Sequence, residues 1–145
     1  MTSQPADLVF HYSLSLPSTI INKTINGTDV IQTANGFIFA DKEFKQPIGR
    51  FAFDVTIYNT DKTLGPFVYD GTGTNVFFLP EGTLSNSINL QFIKAPGNNF
   101  IVPPEKVNVF QILSGSGNFL NSRGIITQLT SIVGVKREIQ VYFEK

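Results

Sequence analysis

The sequence predicts an all-β domain, and three observations predict it. Short alternating or β-rich runs recur between clusters of Gly, Pro, Asn and Asp, the habit of barrels and sandwiches. Phenylalanine is frequent, at 14 residues, and Ile and Val are common; such side chains suit pleated, half-buried surfaces. No long window combines helical spacing with caps. About eight strands in 145 residues make a closed barrel or a two-sheet sandwich. That length buries enough apolar surface to fold without a disulfide or structural metal.

The first strand is Leu8–Leu16. Leu8, Phe10, Tyr12, Leu14 and Leu16 share one face, and His11, Ser13 and Ser15 the other, which is period-2 alternation. Pro17 ends it, and residues 18–35 carry turn residues with isolated apolar ones, so a loop is expected. Two glycosylation sequons fall there, at Asn22 and Asn26. A second strand is expected at Gly36–Ala40, before the charged turn Asp41-Lys42-Glu43. The third, Gly49–Tyr58, sets Phe51, Phe53, Val55 and Ile57 on one face. Arg50, Ala52, Asp54 and Thr56 take the other, placing Arg50 and Asp54 on the outside. His11 points outward by the same parity.

Further strands are expected near Pro66–Tyr69, Asn75–Leu79, Leu84–Lys94, Lys106–Leu113, Gly124–Ile132 and Arg137–Glu144. In one, Leu84, Asn86, Ile88, Leu90 and Phe92 alternate with polar residues; in the last, Ile139, Val141 and Phe143 do. Ala95–Glu105, rich in proline, reads as a long rim loop. With no interior linker or repeat, residues 1–145 form one domain, residues 1–6 being a flexible N-terminal tail.

Composition excludes several chemistries. The chain has no cysteine, so thiolate catalysis and Cys-ligated metals are out; a single histidine argues against a His triad or a multi-His centre. Eleven basic residues cancel 11 acidic ones without a basic stripe, so no nucleic-acid partner is expected. No apolar run approaches the roughly 18 residues of a membrane helix, so no membrane partner is expected. The N-terminus lacks a secretory signal pattern and reads as cytoplasmic, although a secreted chain stripped of its signal reads the same way.

The run Ser114-Gly115-Ser116-Gly117-Asn118-Phe119-Leu120-Asn121-Ser122-Arg123-Gly124 resembles the Gly-Thr-Gly-x-Phe-x-x-Ala-Arg-Gly segment of plant dirigent proteins. It is also similar to the Gly-Ser-Gly-x-Phe turn of allene oxide cyclases. Leu8–Tyr12, Phe37–Asp41, Ile48-Gly49-Arg50 and Glu81-Gly82-Thr83-Leu84 resemble, in order, further strand openings of that superfamily. Positive-φ glycines would make the turn tight, and Phe119 would cap the barrel end. The resemblance implies an eight-stranded antiparallel barrel, assembled as a homotrimer, with a hydrophobic cavity open at one end. Allene oxide cyclases ring-close a fatty-acid epoxide; dirigent proteins hold reactive intermediates and set the stereochemistry of coupling. Neither needs a metal or redox cofactor, so none is expected.

On that resemblance Arg123 lies toward the cavity mouth, where a guanidinium orients a substrate oxygen. Tyr12 stands where dirigent proteins carry an acid; it can donate a hydrogen bond or move a proton, but supplies no negative charge. Asn118 sits at a polar position of the turn, as a substrate contact or as a turn former. Phe51, Phe53, Val55 and Ile57 form the cavity wall, or else fill the barrel with their own bulk. Two functions follow. One is a cofactor-independent cyclase or isomerase that steers a small apolar intermediate by confinement. The other is a non-catalytic structural, assembly or ligand-binding barrel. A sugar-binding β-sandwich, with loop aromatics beside Asn or Asp, is a remoter third.

Overall fold

The computed structural model describes residues 4–15, 18–25, 29–58, 69–95, 99–103, 106–131 and 135–145. Among the described residues ten strands run in chain order. They are β1 (Leu8–Ser13), β2 (Thr19–Ile25), β3 (Asp29–Phe39), β4 (Pro47–Tyr58), β5 (Tyr69–Leu79), β6 (Gly82–Ala95), β7 (Asn99–Ile101), β8 (Val107–Gly115), β9 (Gly124–Thr130) and β10 (Lys136–Phe143).

Eight of them close an antiparallel barrel in the order β1-β10-β9-β8-β6-β5-β4-β3, and β3 returns to β1 through His11 opposite Phe39. The same edge of β3 pairs with β2 over Asp29–Asn35. β7 adds three residues to β6. The wall is thinnest at that single β1–β3 pair, and β6 pairs with β8 over Leu84–Asn86 with a register shift between Ser85 and Asn86.

Three sequence expectations are corrected. Residues 18–35, expected as a loop, hold β2 and most of β3. β2 is exposed along nearly its whole length, so it has no buried face to write alternation into its sequence. On β3 the inward residues are Val30, Gln32, Ala34 and Ile38, a series whose polar and small members hide its period. Second, β5 runs through Gly71 and Gly73, which lie in the gap between the strands expected at 66–69 and 75–79. A Cβ on Gly73 would lie 1.9 Å from the Asp54 carbonyl oxygen, so this strand needs glycine to approach its neighbour. The expected strand at 66–69 lies outside the described residues save Tyr69, where β5 opens. Third, the 95–105 loop contains β7.

The resembling turn forms a 3-10 turn at Gly117–Phe119. Left-handed backbone falls on Gly117 (φ 60°) and Asn121 (φ 61°), not on Asn118. Phe119 is buried and stacks on Phe143 with ring centroids 5.9 Å apart, closing one end of the barrel.

The interior is two apolar clusters. One, at the Phe119 end, holds Phe10, Phe51, Phe77, Leu84, Ile126 and Ile139. The other holds Val30, Val55, Ile57, Tyr69, Ile88 and Phe92. Between them lies a set of buried polar side chains, with Phe53 packed against both clusters.

Candidate functional site

Each strand's inward face alternates every second residue, and at one level of the barrel that residue is polar on six of the eight strands. β1 supplies Tyr12, two residues beyond Phe10. β3 supplies Gln32 between Val30 and Ala34. β5 supplies Asn75 before Phe77, and β6 supplies Asn86 between Leu84 and Ile88. β9 supplies Gln128 after Ile126, and β10 supplies Arg137 before Ile139. All six are buried and line one cavity. The remaining two strands contribute half-buried aromatics, Phe53 of β4 and Phe110 of β8. Cross-strand register ties the belt together: Tyr12 lies opposite Arg137, and Asn75 opposite Asn86.

The cavity holds about 30 Å³ of free volume. Val55, Ile88, Leu90, Phe92 and Val102 from the second apolar cluster, with Leu14 from beside the first, complete its lining. A water needs roughly 10–15 Å³, so the space accepts one or two atoms of that size without side-chain movement.

Buried polar groups need partners, because an unmade hydrogen bond carries the full desolvation cost. The Tyr12 hydroxyl donates to Gln128 Oε1 at 3.2 Å, and its ring stacks on Phe51 with centroids 4.2 Å apart. Gln32 Nε2 donates to Asn22 Oδ1 at 3.0 Å, and Asn86 Nδ2 donates to the Ser87 carbonyl at 3.2 Å. Two cavity-lining atoms, Asn75 Oδ1 and Asn86 Oδ1, have no hydrogen-bond partner among the described residues.

Burial raises the pKa of Tyr12 above the ordinary tyrosine value, with the Arg137 charge and a hydrogen bond to Asn75 opposing it. Its hydroxyl is therefore a proton-bearing donor at neutral pH rather than a base. Burial likewise lowers the pKa of Arg137, and the Tyr12 hydroxyl opposes that shift. A guanidinium still carries its charge there.

The structure brings Tyr12, Phe53 and Val55 together at the cavity. Phe51 and Ile57 sit apart from it, one in each apolar cluster, so of the two alternatives left open for this face Phe51 takes barrel filling. Arg123 and Asn118 are not among the cavity residues, and both are exposed. Arg123 lines an open outer groove of 1440 Å³ with Leu113, Leu120, Ile125, Tyr142 and Glu144. The expectation that it faces the same space as Tyr12 is corrected: the turn before β9 carries it onto the outer side. Arg50 lies outside as expected, over the Phe37 ring at 5.9 Å. His11 is on the outward parity yet only 9% exposed.

Sequence reasoning put Asn86 on the apolar face of its strand without singling it out as a site residue, and missed Gln32, Asn75, Gln128 and Arg137. The signal was available for two of them. Gln128 shares parity with Ile126, and Arg137 with Ile139 and Val141, so each is a polar side chain on an apolar face. Among the described residues no group of three His, Cys, Asp or Glu could hold a metal ion, and no helix is long and apolar enough to cross a membrane.

No family model and no curated protein matches the chain. A solved structure titled pyocyanin demethylase shares the fold. It superposes with a TM-score of 0.59 over 92% of this chain and 98% of that one, at 11% sequence identity. At that identity the likeness speaks for the barrel alone.

Proposed function

We propose that this barrel binds a small, mainly apolar molecule at the polar belt and steers its cyclisation or isomerisation by confinement. The observation that carries the reading is the belt: six buried polar side chains on six strands converge on one cavity between two apolar clusters. Apolar walls with a few convergent polar groups are the usual build of a small-molecule site. The dirigent and allene oxide cyclase resemblance agrees with it, as does the fold shared with a protein whose title names a small-molecule demethylation.

Residue roles follow from placement. Tyr12 turns its single hydroxyl proton from Gln128 Oε1 to a substrate oxygen. Arg137, in place of Arg123, orients the polar end and stabilises negative charge developing there, which a buried cation does strongly. Phe53, Val55, Phe92 and Phe110 form the wall. Because Phe53 and Phe110 are half-buried, they are the side chains that turn to admit a body larger than the resting cavity. No metal or redox group takes part in this scheme, and the homotrimer implied by the resemblance is retained with it.

The test is stereochemical. Phenolic, polyketide-like and lipid intermediates are allowed to cyclise with and without protein, and the enantiomeric excess of product is measured. Wild type and Arg123→Ala bias the product, while Arg137→Gln and Tyr12→Phe return it to racemic. Racemic product from wild type across all three classes refutes steering.

A second reading, a non-catalytic structural, assembly or ligand-binding barrel, is favoured by the small interior volume and by the outer face of β8 and β9. There Val107, Val109, Leu113, Ile125 and Leu129 are exposed. Sedimentation showing self-association through that face, with an unbiased product, supports it.

A further inference from the structure

Resting on the interior-site reading above, we propose that the Asn75–Asn86 pair recognises a neutral primary amide, whose NH2 group donates one hydrogen bond to each side-chain oxygen. The two asparagines are direct cross-strand partners on the inward faces of β5 and β6. Such partners place their Cβ atoms about 4.5–5.5 Å apart, so one small group can bridge the two amides. Both residues are almost fully buried, at 3% and 1% exposure, and both Oδ1 atoms lack a partner among the described residues.

The orientation of one amide is set locally. Asn86 Nδ2 donates to the Ser87 carbonyl at 3.2 Å, which leaves Oδ1 as its acceptor end. The pair therefore offers two acceptors and asks for two donors from a single head group. The charge of the site narrows the chemistry. Arg137 lines the same cavity, so an ammonium head is repelled. A carboxylate head would set its oxygens against the two asparagine oxygens. An uncharged NH2 beside a carbonyl meets both conditions: the NH2 serves the asparagines and the carbonyl oxygen lies in a positive field.

Size fits the head alone. About 30 Å³ admits the NH2 and part of its carbonyl, as it admits a water in their place. The ligand's apolar body then displaces Phe53 and Phe110 and lies against Val55, Ile88 and Phe92.

Three probes of one shape decide the matter: benzamide, benzoate and toluene. Each is titrated into protein with labelled methyl groups, and the Val55, Ile88, Leu90 and Val102 resonances are followed. Benzamide is expected to shift them with an affinity about tenfold above either other probe. In Asn86→Leu, or in Asn75→Leu should the first not fold, that advantage disappears. Toluene binding as tightly as benzamide overturns amide recognition while leaving the interior site standing. Benzoate binding tightest also overturns it, and makes Arg137 the anchor of that site. If no probe moves the four methyls, the interior site falls with it.

Discussion

The Tyr12 hydroxyl on β1 donates to Oε1 of Gln128 on β9 across 116 positions of sequence, in the interior of the barrel. β10 lies between the two strands in the sheet, so the bond spans a strand rather than a neighbouring pair. It also fixes the phenol against Phe51, and thereby sets where apolar filling stops and the polar belt begins.

Removing that hydroxyl should be costly. Tyr12→Phe keeps the ring on Phe51 but strips Gln128 Oε1 of its donor in the barrel interior. An expected loss of about 1–3 kcal/mol follows from leaving a buried group unsatisfied. Urea denaturation followed by intrinsic tyrosine fluorescence or circular dichroism measures it, and an unchanged midpoint would contradict the bond.

The same residue sets an alkaline limit. Burial raises the pKa of Tyr12, so the folded state holds the phenolic proton more tightly than the unfolded chain does. The resulting stability is fully present below the unfolded value, about 10. As pH climbs past that value the unfolded chain releases its proton first, and the contribution is lost on the way up to the folded pKa. The melting temperature should therefore fall above about pH 10, and Tyr12→Phe should flatten that fall.

Filling and function separate at two other positions. Phe51 is 1% exposed and stacks on both Tyr12 and Phe53. Phe51→Ala should cost about 3–5 kcal/mol, the range for emptying a packed aromatic site. Arg123 is exposed on the outer groove, and Arg123→Ala should change stability by no more than about 0.5 kcal/mol. Thermal melts of the two variants check the contrast. A large effect at Arg123 would mean that the outer groove is covered in solution.

The turn should be intolerant where its backbone is left-handed. At Gly117, with φ 60°, a Cβ would sit 2.5 Å from the Glu81 carbonyl oxygen, a backbone atom with little room to move. Gly117→Ala should cost about 1–3 kcal/mol in strain. Hydrogen exchange at Asn118, whose amide donates to that same carbonyl at 2.8 Å, should speed up in the variant. Unaltered exchange would show that the turn relaxes freely.

The sequence by itself determined the β class, most strands and the inward faces of the strands that bury apolar residues. Phe51/Val55/Ile57 and Leu84/Ile88/Phe92 were readable because period-2 alternation is a local property of a half-buried strand. The motif glycines likewise announced their turn. β2 and the glycine-bearing half of β5 were not readable. The first buries almost nothing, and the second is made by close approach to β4, a neighbour the local pattern does not reveal. The candidate site was legible only at Tyr12 and along the third-strand wall. Its other members lie between 32 and 137 in sequence, one on each of five more strands. Parity says that Gln128 and Arg137 point inward, but only barrel closure brings them to one level. Tertiary structure decided this because strand register is a relation between chains of residues distant in sequence, whereas alternation is a relation between neighbours.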